Sequence, residues 1–206
     1  MRKYKLVAFG LYAVLSLALC GCGLQKASLV EKREVERNPA NHQYVYQLPY
    51  ETDRSYLLVQ GYKSIFSHRS EYSFDFKMKI GTKVFAAREG IVEATESSFN
   101  VHGLRNKYLN ECNYVIIKHN DGTFAAYRHL KKDGVVVKPG EIVAKGQLIG
   151  YSGHTGYSAF PHLHFMVFRL DENNRAYSFP TRFKTNMGDI FLKPGSSYIN
   201  KVSGEE

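Results

Sequence analysis

From about Tyr44 onward, apolar and polar residues alternate in short runs rather than in helical stripes. The runs are rich in Val, Ile, Tyr and Phe and are punctuated by Gly, Asn, Asp and Pro. β-Branched and aromatic side chains pack well on a pleated surface, and the punctuating residues supply turn conformations. Strands are therefore expected at 56–60, 72–76, 83–86, 91–94, 114–118, 123–130, 135–137, 148–152 and 162–169. Asn120-Asp121-Gly122 and Lys138-Pro139-Gly140 read as turns between them. No segment in this part sustains a 3.6-residue period. The expected fold class is all-β, a compact antiparallel β-sandwich or barrel.

The first thirty residues follow a different pattern. Arg2, Lys3 and Lys5 precede an uncharged apolar run, 6–19, which closes on Leu19-Cys20-Gly21-Cys22. The run is too short to span a bilayer comfortably and has signal-peptide proportions. A small residue before a cysteine, with Leu19 at minus three, resembles the bacterial lipobox. That resemblance implies cleavage before Cys22 and lipidation of its sulfur, giving a membrane-bound lipoprotein. Cys20 is the weaker site, because bulky Leu19 stands where a small residue is expected. Gly23 rather than Asp follows Cys22, which by the same resemblance implies an outer-membrane location facing the periplasm in a Gram-negative source. The chain then divides into a signal peptide (1–21), a polar tether (22–45), a domain (46–200, core 55–170) and a short tail (201–206).

Composition narrows the function classes. Apolar residues are 44% and charged residues 23%, the balance of a globular rather than a disordered chain. With 15 Tyr and 13 Phe, a core can form without disulfides. Cys20, Cys22 and Cys112 make neither a disulfide framework nor a metal-binding CxxC pair. The net charge of +9 suits acidic partners, but three of the basic residues lie in the first five positions. No Lys/Arg cluster with interleaved aromatics is present, so no nucleic-acid partner is expected.

The candidate chemistry lies in the histidines. In Pro161-His162-Leu163-His164-Phe165, alternation projects His162 and His164 from one strand face and Leu163 and Phe165 from the other. His129 ends the expected strand 123–130, with Tyr127 on its face and Arg128 opposite. Asp75 lies between Phe74 and Phe76 downstream of His68. It is either on a solvent face or buried, and a buried carboxylate is costly unless paired or metal-bound. A catalytic zinc site uses three protein ligands and keeps a fourth position open. Two His and one Asp meet that count, which by itself does not choose among the candidates.

Four blocks, in order, carry a resemblance: Ser67-His68 with Phe74-Asp75-Phe76; Gly81-Thr82 with Val84, Ala86-Ala87, Gly90 and Val92; Tyr127-Arg128-His129-Leu130; and Ser152-Gly153-His154-Thr155-Gly156 with Pro161-His162-Leu163-His164-Phe165. Over about residues 55–170 the chain resembles the lysostaphin-type zinc metallopeptidases. The resemblance implies a β fold with an open groove, one zinc ion on His68, Asp75 and His164, and catalytic roles for His129 and His162. It implies peptidoglycan peptides as substrate. Relatives that have lost zinc ligands instead bind and activate wall amidases; every expected ligand is present here.

The segments 96–109 and 154–160 are expected to wall the groove. His154 stands where the family commonly has Asn or a small residue and reads as a loop residue. His42, His102 and His119 match no motif and read as surface or packing residues. Cys112 reads as a buried, unmodified thiol. The segment 137–150 looks like a biotinyl-carrier hairpin, but it lacks that carrier's Met-flanked lysine and reads as a structural β-element.

Overall fold

The structure, a computed structural model, describes residues 44–62, 68 and 71–201. The expected signal peptide, Cys22, His42, nearly all of the tether and most of the tail lie outside the described residues. The strands are β1 (Val45–Gln47), β2 (Ser55–Gln60), β3 (Ser73–Lys77), β4 (Lys83–Phe85), β5 (Gly90–Glu96) and β6 (His102–Gly103). They continue with β7 (Tyr114–Lys118), β8 (Phe124–Arg128), β9 (Leu130–Val135), β10 (Ile142–Val143), β11 (Leu148–Ser152) and β12 (Gly156–Tyr157). The last are β13 (His162–Leu170), β14 (Ala176–Ser178), β15 (Arg182–Thr185), β16 (Gly188–Phe191) and β17 (Ser197–Ile199). The regular helix among the described residues is a short 3-10 segment, Asn106–Asn110.

Nine strands form one sheet in the order β10-β5-β7-β8-β13-β3-β2-β17, with β14 added against β13. Every pairing within it is antiparallel. Smaller sheets, β4-β11-β9, β1-β15-β16 and β12-β6, complete an all-β domain. Alternation along the central strands sorts the side chains onto two faces. Phe74, Phe76, Val115, Ile117, Ala125, Tyr127, Leu163, Phe165 and Val167 enter the main core. There Phe183 of β15 meets Phe74 edge-on at 4.9 Å and Phe165 at 5.6 Å. Such aromatic pairs add about 0.5–1.5 kcal/mol each beyond the area they bury. The core also draws on Tyr46 and Tyr198, well outside the 55–170 segment.

The opposite face is apolar at one end, where Ile116, Phe124, Ala126, Met166 and Phe168 form a second cluster. Its other end carries Asp75, His164 and Arg128. Hydrophobic packing on both sides thus fixes the register that aligns these polar residues.

Two expected strands differ in the structure. The run 123–130 is not one strand: β8 stops at Arg128 and β9 starts at Leu130, because His129 adopts φ 61°. The expected strand 135–137 is instead the end of β9, which begins five residues earlier and pairs with β11 through Leu130 and Val135. Its exposed Lys131, Lys132 and Asp133, the last at φ 53°, hide the strand from any alternation test. Both turns form as read, with Gly122 at φ 79° and Gly140 at φ 86°. The carrier-like segment supplies β10 and the start of β11, and its Lys145 is exposed. His119 is a packing residue: it lies edge-on to Tyr46, and its Nδ1–H donates to the Glu89 carbonyl at 2.7 Å.

Candidate functional site

Three adjacent strands set Asp75, His164 and Arg128 in one row, with Asp75 opposite His164 and His164 opposite Arg128. Directly opposed residues in a sheet share a face. Asp75 is almost fully buried (2% exposed), so the solvent-face alternative for it is excluded. Its Oδ1 lies 2.9 Å from His164 Nδ1 and 3.6 Å from His162 Nε2, and its Oδ2 lies 3.2 Å from His68 Nε2. Gln60 donates to Oδ2 at 3.0 Å. A register shift between β2 and β3 places Gln60 opposite Asp75, a common use of bulges beside functional sites.

The electrostatics follow from this packing. Burial alone would raise the Asp75 carboxyl, but His162, His164 and His68 hold it well below the usual carboxylate range. Burial pushes the His164 imidazole down to about 3. His68 is driven down by burial too, but its contact with Asp75 outweighs that and raises it.

His68 supplies a test of whether a metal ion fits. Its Nδ1–H donates to the Gly61 carbonyl at 3.2 Å, which leaves the Nε2 lone pair facing the Asp75 carboxylate. That buried nitrogen has no hydrogen-bond partner among the described residues. A lone pair against a carboxylate oxygen is repulsive unless a proton or a metal ion lies between them. Donor atoms of His68, Asp75 and His164 all lie within 4.8 Å of one another. Two imidazole nitrogens and a carboxylate oxygen are a donor set of divalent ions such as zinc, bound at about 2.0–2.2 Å. The residues present fit such an ion.

His129 and His162 form the second half of the site, their rings 4.6 Å apart. The left-handed backbone at His129 turns its ring toward His164, 5.8 Å away, and its backbone N–H donates to Cys112 Sγ at 3.4 Å. Its Nδ1–H donates to the Thr155 carbonyl at 2.7 Å. His162 Nδ1–H donates to the Phe160 carbonyl at 2.8 Å, with Ser158 Oγ at 3.3 Å. Carbonyls only accept, so each neutral imidazole keeps its proton on Nδ1 and leaves Nε2 as an acceptor. Burial lowers both groups, His162 to about 4, and so favours those neutral forms. Both histidines can take a proton.

The five side chains line one groove of about 500 Å³. Leu104 and Leu109 wall it from the 96–109 segment, and Tyr157 and Phe160 from the 154–160 segment. Pairing of β6 with β12 ties the two segments together. His154 is not in the lining; its ring stacks on His102 at 3.8 Å and its Nε2 meets the Ser158 carbonyl at 3.2 Å.

The alternation expected around His129 fails. Tyr127 points into the core, where its hydroxyl accepts a hydrogen bond from the Ala87 N–H at 2.8 Å, while Arg128 lines the groove together with His129. The cause is the positive φ at His129, which no sequence pattern announces. Gln60, Glu71 and Arg128 are groove residues that the sequence reading left out. Alternation within β8 itself holds and puts Arg128 on the face of Phe124 and Ala126, opposite Ala125 and Tyr127. Cys112 is buried as expected, but it also packs its sulfur 3.5 Å from His129 Nδ1.

The chain is similar to known proteins over part of its length. Peptidoglycan DD-endopeptidase ShyA of Vibrio cholerae is 40% identical over 91 residues, 44% of this chain and 18% of that protein. Lysostaphin of Staphylococcus simulans is 39% identical over 119 residues, 57% of this chain and 22% of that protein. The chain thus spans about a fifth of the length of these curated relatives. The solved catalytic domain of the antimicrobial peptidase lysostaphin from Staphylococcus simulans is 32% identical, with a TM-score of 0.43, over 61% of this chain and 87% of that one. Residues 69–177 match the profile of peptidase family M23, starting one residue after His68 and including Asp75, His129, His162 and His164. That match covers more than half of the 206 residues, and the chain belongs to peptidase family M23.

Proposed function

We propose that this chain is a zinc-dependent endopeptidase that hydrolyses cross-link or stem peptides of bacterial peptidoglycan. The observation that carries the reading is the meeting of His68, Asp75 and His164 with the free Nε2 atoms of His129 and His162 around one open groove. The relatives named for peptidoglycan DD-endopeptidase and lysostaphin activities support the substrate class. A regulator that activates amidases after losing zinc ligands would lack part of this set, so hydrolysis is favoured.

His68, Asp75 and His164 would hold the ion. Zinc, when bound, polarises a carbonyl and lowers the pKa of water to near neutrality. The chain's own groups do the proton work. His162 Nε2 lies 3.6 Å from the Asp75 carboxylate, whose charge strengthens it as a base. It takes a proton from the attacking water as the carbon–oxygen bond forms, and returns it to the amine as the carbon–nitrogen bond breaks. His129 takes a proton from solvent on Nε2 as the oxyanion develops, whose charge offsets the burial that otherwise keeps this ring neutral, and donates a hydrogen bond to it. The groove walls hold the peptide and limit water.

The test is product analysis. Zinc-loaded protein incubated with purified peptidoglycan should release peptides with new amino and carboxyl termini, detected by mass spectrometry. A chelator should stop this and zinc should restore it. Unchanged peptidoglycan, or cleavage of amide bonds to the sugar instead, would defeat the proposal.

The cleavage unit is proposed as residues 46–200, tethered by 22–45 to a lipidated Cys22 in the outer membrane, facing the periplasm of a Gram-negative source. Labelled palmitate should enter the full chain and be lost in Cys22→Ala. Equal labelling of the variant would move the anchor elsewhere.

A further inference from the structure

His129 carries its ring on a left-handed backbone, at φ 61°. A residue with a Cβ is disfavoured there, so its neighbours must hold the turn. Its own N–H is held by Cys112 Sγ at 3.4 Å, and the next N–H, that of Leu130, by the Asn113 carbonyl at 3.2 Å. Two further restraints come from Thr155. Its hydroxyl donates to the Leu130 carbonyl at 2.8 Å and accepts from the Asn113 N–H at 3.0 Å. Its carbonyl accepts from His129 Nδ1–H at 2.7 Å. One residue therefore grips the turn through its side chain and the imidazole through its main chain.

The surroundings are built for this grip. Thr155 and Asn113 are buried, at 5% and 0% exposed. The hydroxyl donates once and accepts once, a double role that serine can fill and valine cannot. Gly156, at φ 83°, lets the Cys112–Asn113 backbone come close, since a Cβ there would lie 2.7 Å from the Cys112 Cβ. The Asn113 side chain extends the network to the 96–109 wall: it accepts from the Phe99 N–H at 3.0 Å and donates to the Phe99 carbonyl at 2.9 Å. We infer that Thr155 is a positioning residue for His129, its hydroxyl holding the left-handed turn that presents His129 Nε2 to the groove. This rests on the endopeptidase reading above and gives a role to a residue outside the groove lining.

Thr155→Val removes the hydroxyl at nearly constant volume, and Thr155→Ser keeps it. In zinc-loaded protein acting on a soluble cross-linked peptide, Thr155→Val should lower kcat roughly 10–100-fold with KM little changed, because small misplacements of a working group cost up to about 100-fold. Thr155→Ser should recover most of that loss. In a His129→Ala background, Thr155→Val should cost less than about twofold, since the group it positions is gone. Misfolding would lower the rate in both backgrounds alike. A second readout needs no turnover. In 15N-labelled wild type, His129 Nδ1–H should give a slowly exchanging NMR signal, identified by its absence in His129→Ala. Thr155→Val should shift or abolish that signal, and Thr155→Ser should restore it. Should Thr155→Val fail to fold, Thr155→Ala carries the same expectations. If wild type cuts no peptide but the signal depends on the hydroxyl, the endopeptidase reading fails and the Thr155 assignment stands. An unchanged signal in Thr155→Val, or an equal loss of kcat with and without His129, overturns the assignment.

Discussion

Replacing Asp75 with alanine should remove zinc binding and, with it, all measurable peptidase activity. Asp75 is the hub of the site, within 3.6 Å of three imidazoles and bonded to Gln60. It is also the single carboxylate in the three-residue donor set. Substituting groups that merely orient metal ligands costs about 10–100-fold in affinity, so losing a ligand and its charge costs more than about 100-fold. A readout independent of turnover is available, because a ligand that binds only the folded state stabilises it, by about 2.7 kcal/mol at a hundred times its dissociation constant. Zinc should raise the melting temperature of wild type and leave that of Asp75→Ala where it was. A zinc-dependent shift of equal size in the variant would place the ion elsewhere.

Replacing His162 with alanine should lower kcat by about 10²–10⁴-fold while zinc content stays at the wild-type level. His162 lines the groove, with its Nε2 3.6 Å from Asp75 Oδ1 and its Nδ1 committed to the Phe160 carbonyl. It is outside the donor set of His68, Asp75 and His164. Loss of a proton acceptor therefore separates from loss of the metal, which the Asp75 variant cannot do. His129→Ala should resemble it, with about 10²–10³-fold expected for a lost oxyanion donor. Kinetics and metal analysis on the same preparations check both. Wild-type turnover in His162→Ala, or a matching loss of zinc, would remove it from the proton-transfer role.

Much of this site is legible in the sequence, for a physical reason. In strands the side-chain period is two, so His162 and His164 could be placed together and apart from Leu163 and Phe165 without coordinates. The pairs Phe74/Phe76 and Leu163/Phe165 then anchor β3 and β13 in the core and leave Asp75 and His164 opposed across the other face. What stayed hidden depends on backbone departures from that period. The left-handed turn at His129 exchanged the positions expected for Tyr127 and Arg128. The bulge that brings Gln60 opposite Asp75 is a pairing irregularity between two strands, and neither strand encodes it alone. The strands β1 and β17 stay hidden because they pair only with partners distant in sequence, as Val45 does with Arg182 and Tyr198 with Tyr56, while β15 and β16 pair with each other across a short turn. Their aromatic residues nonetheless complete the core beneath the groove.

The most direct test is a zinc-edge anomalous diffraction map of crystals of the zinc-loaded protein. The expected result is a single peak coordinated by His68 Nε2, an Asp75 carboxylate oxygen and His164 Nδ1, with its remaining side open to the groove beneath His129 and His162. A peak held by other residues, or by four protein ligands that close the ion off, would contradict a hydrolytic centre at this site.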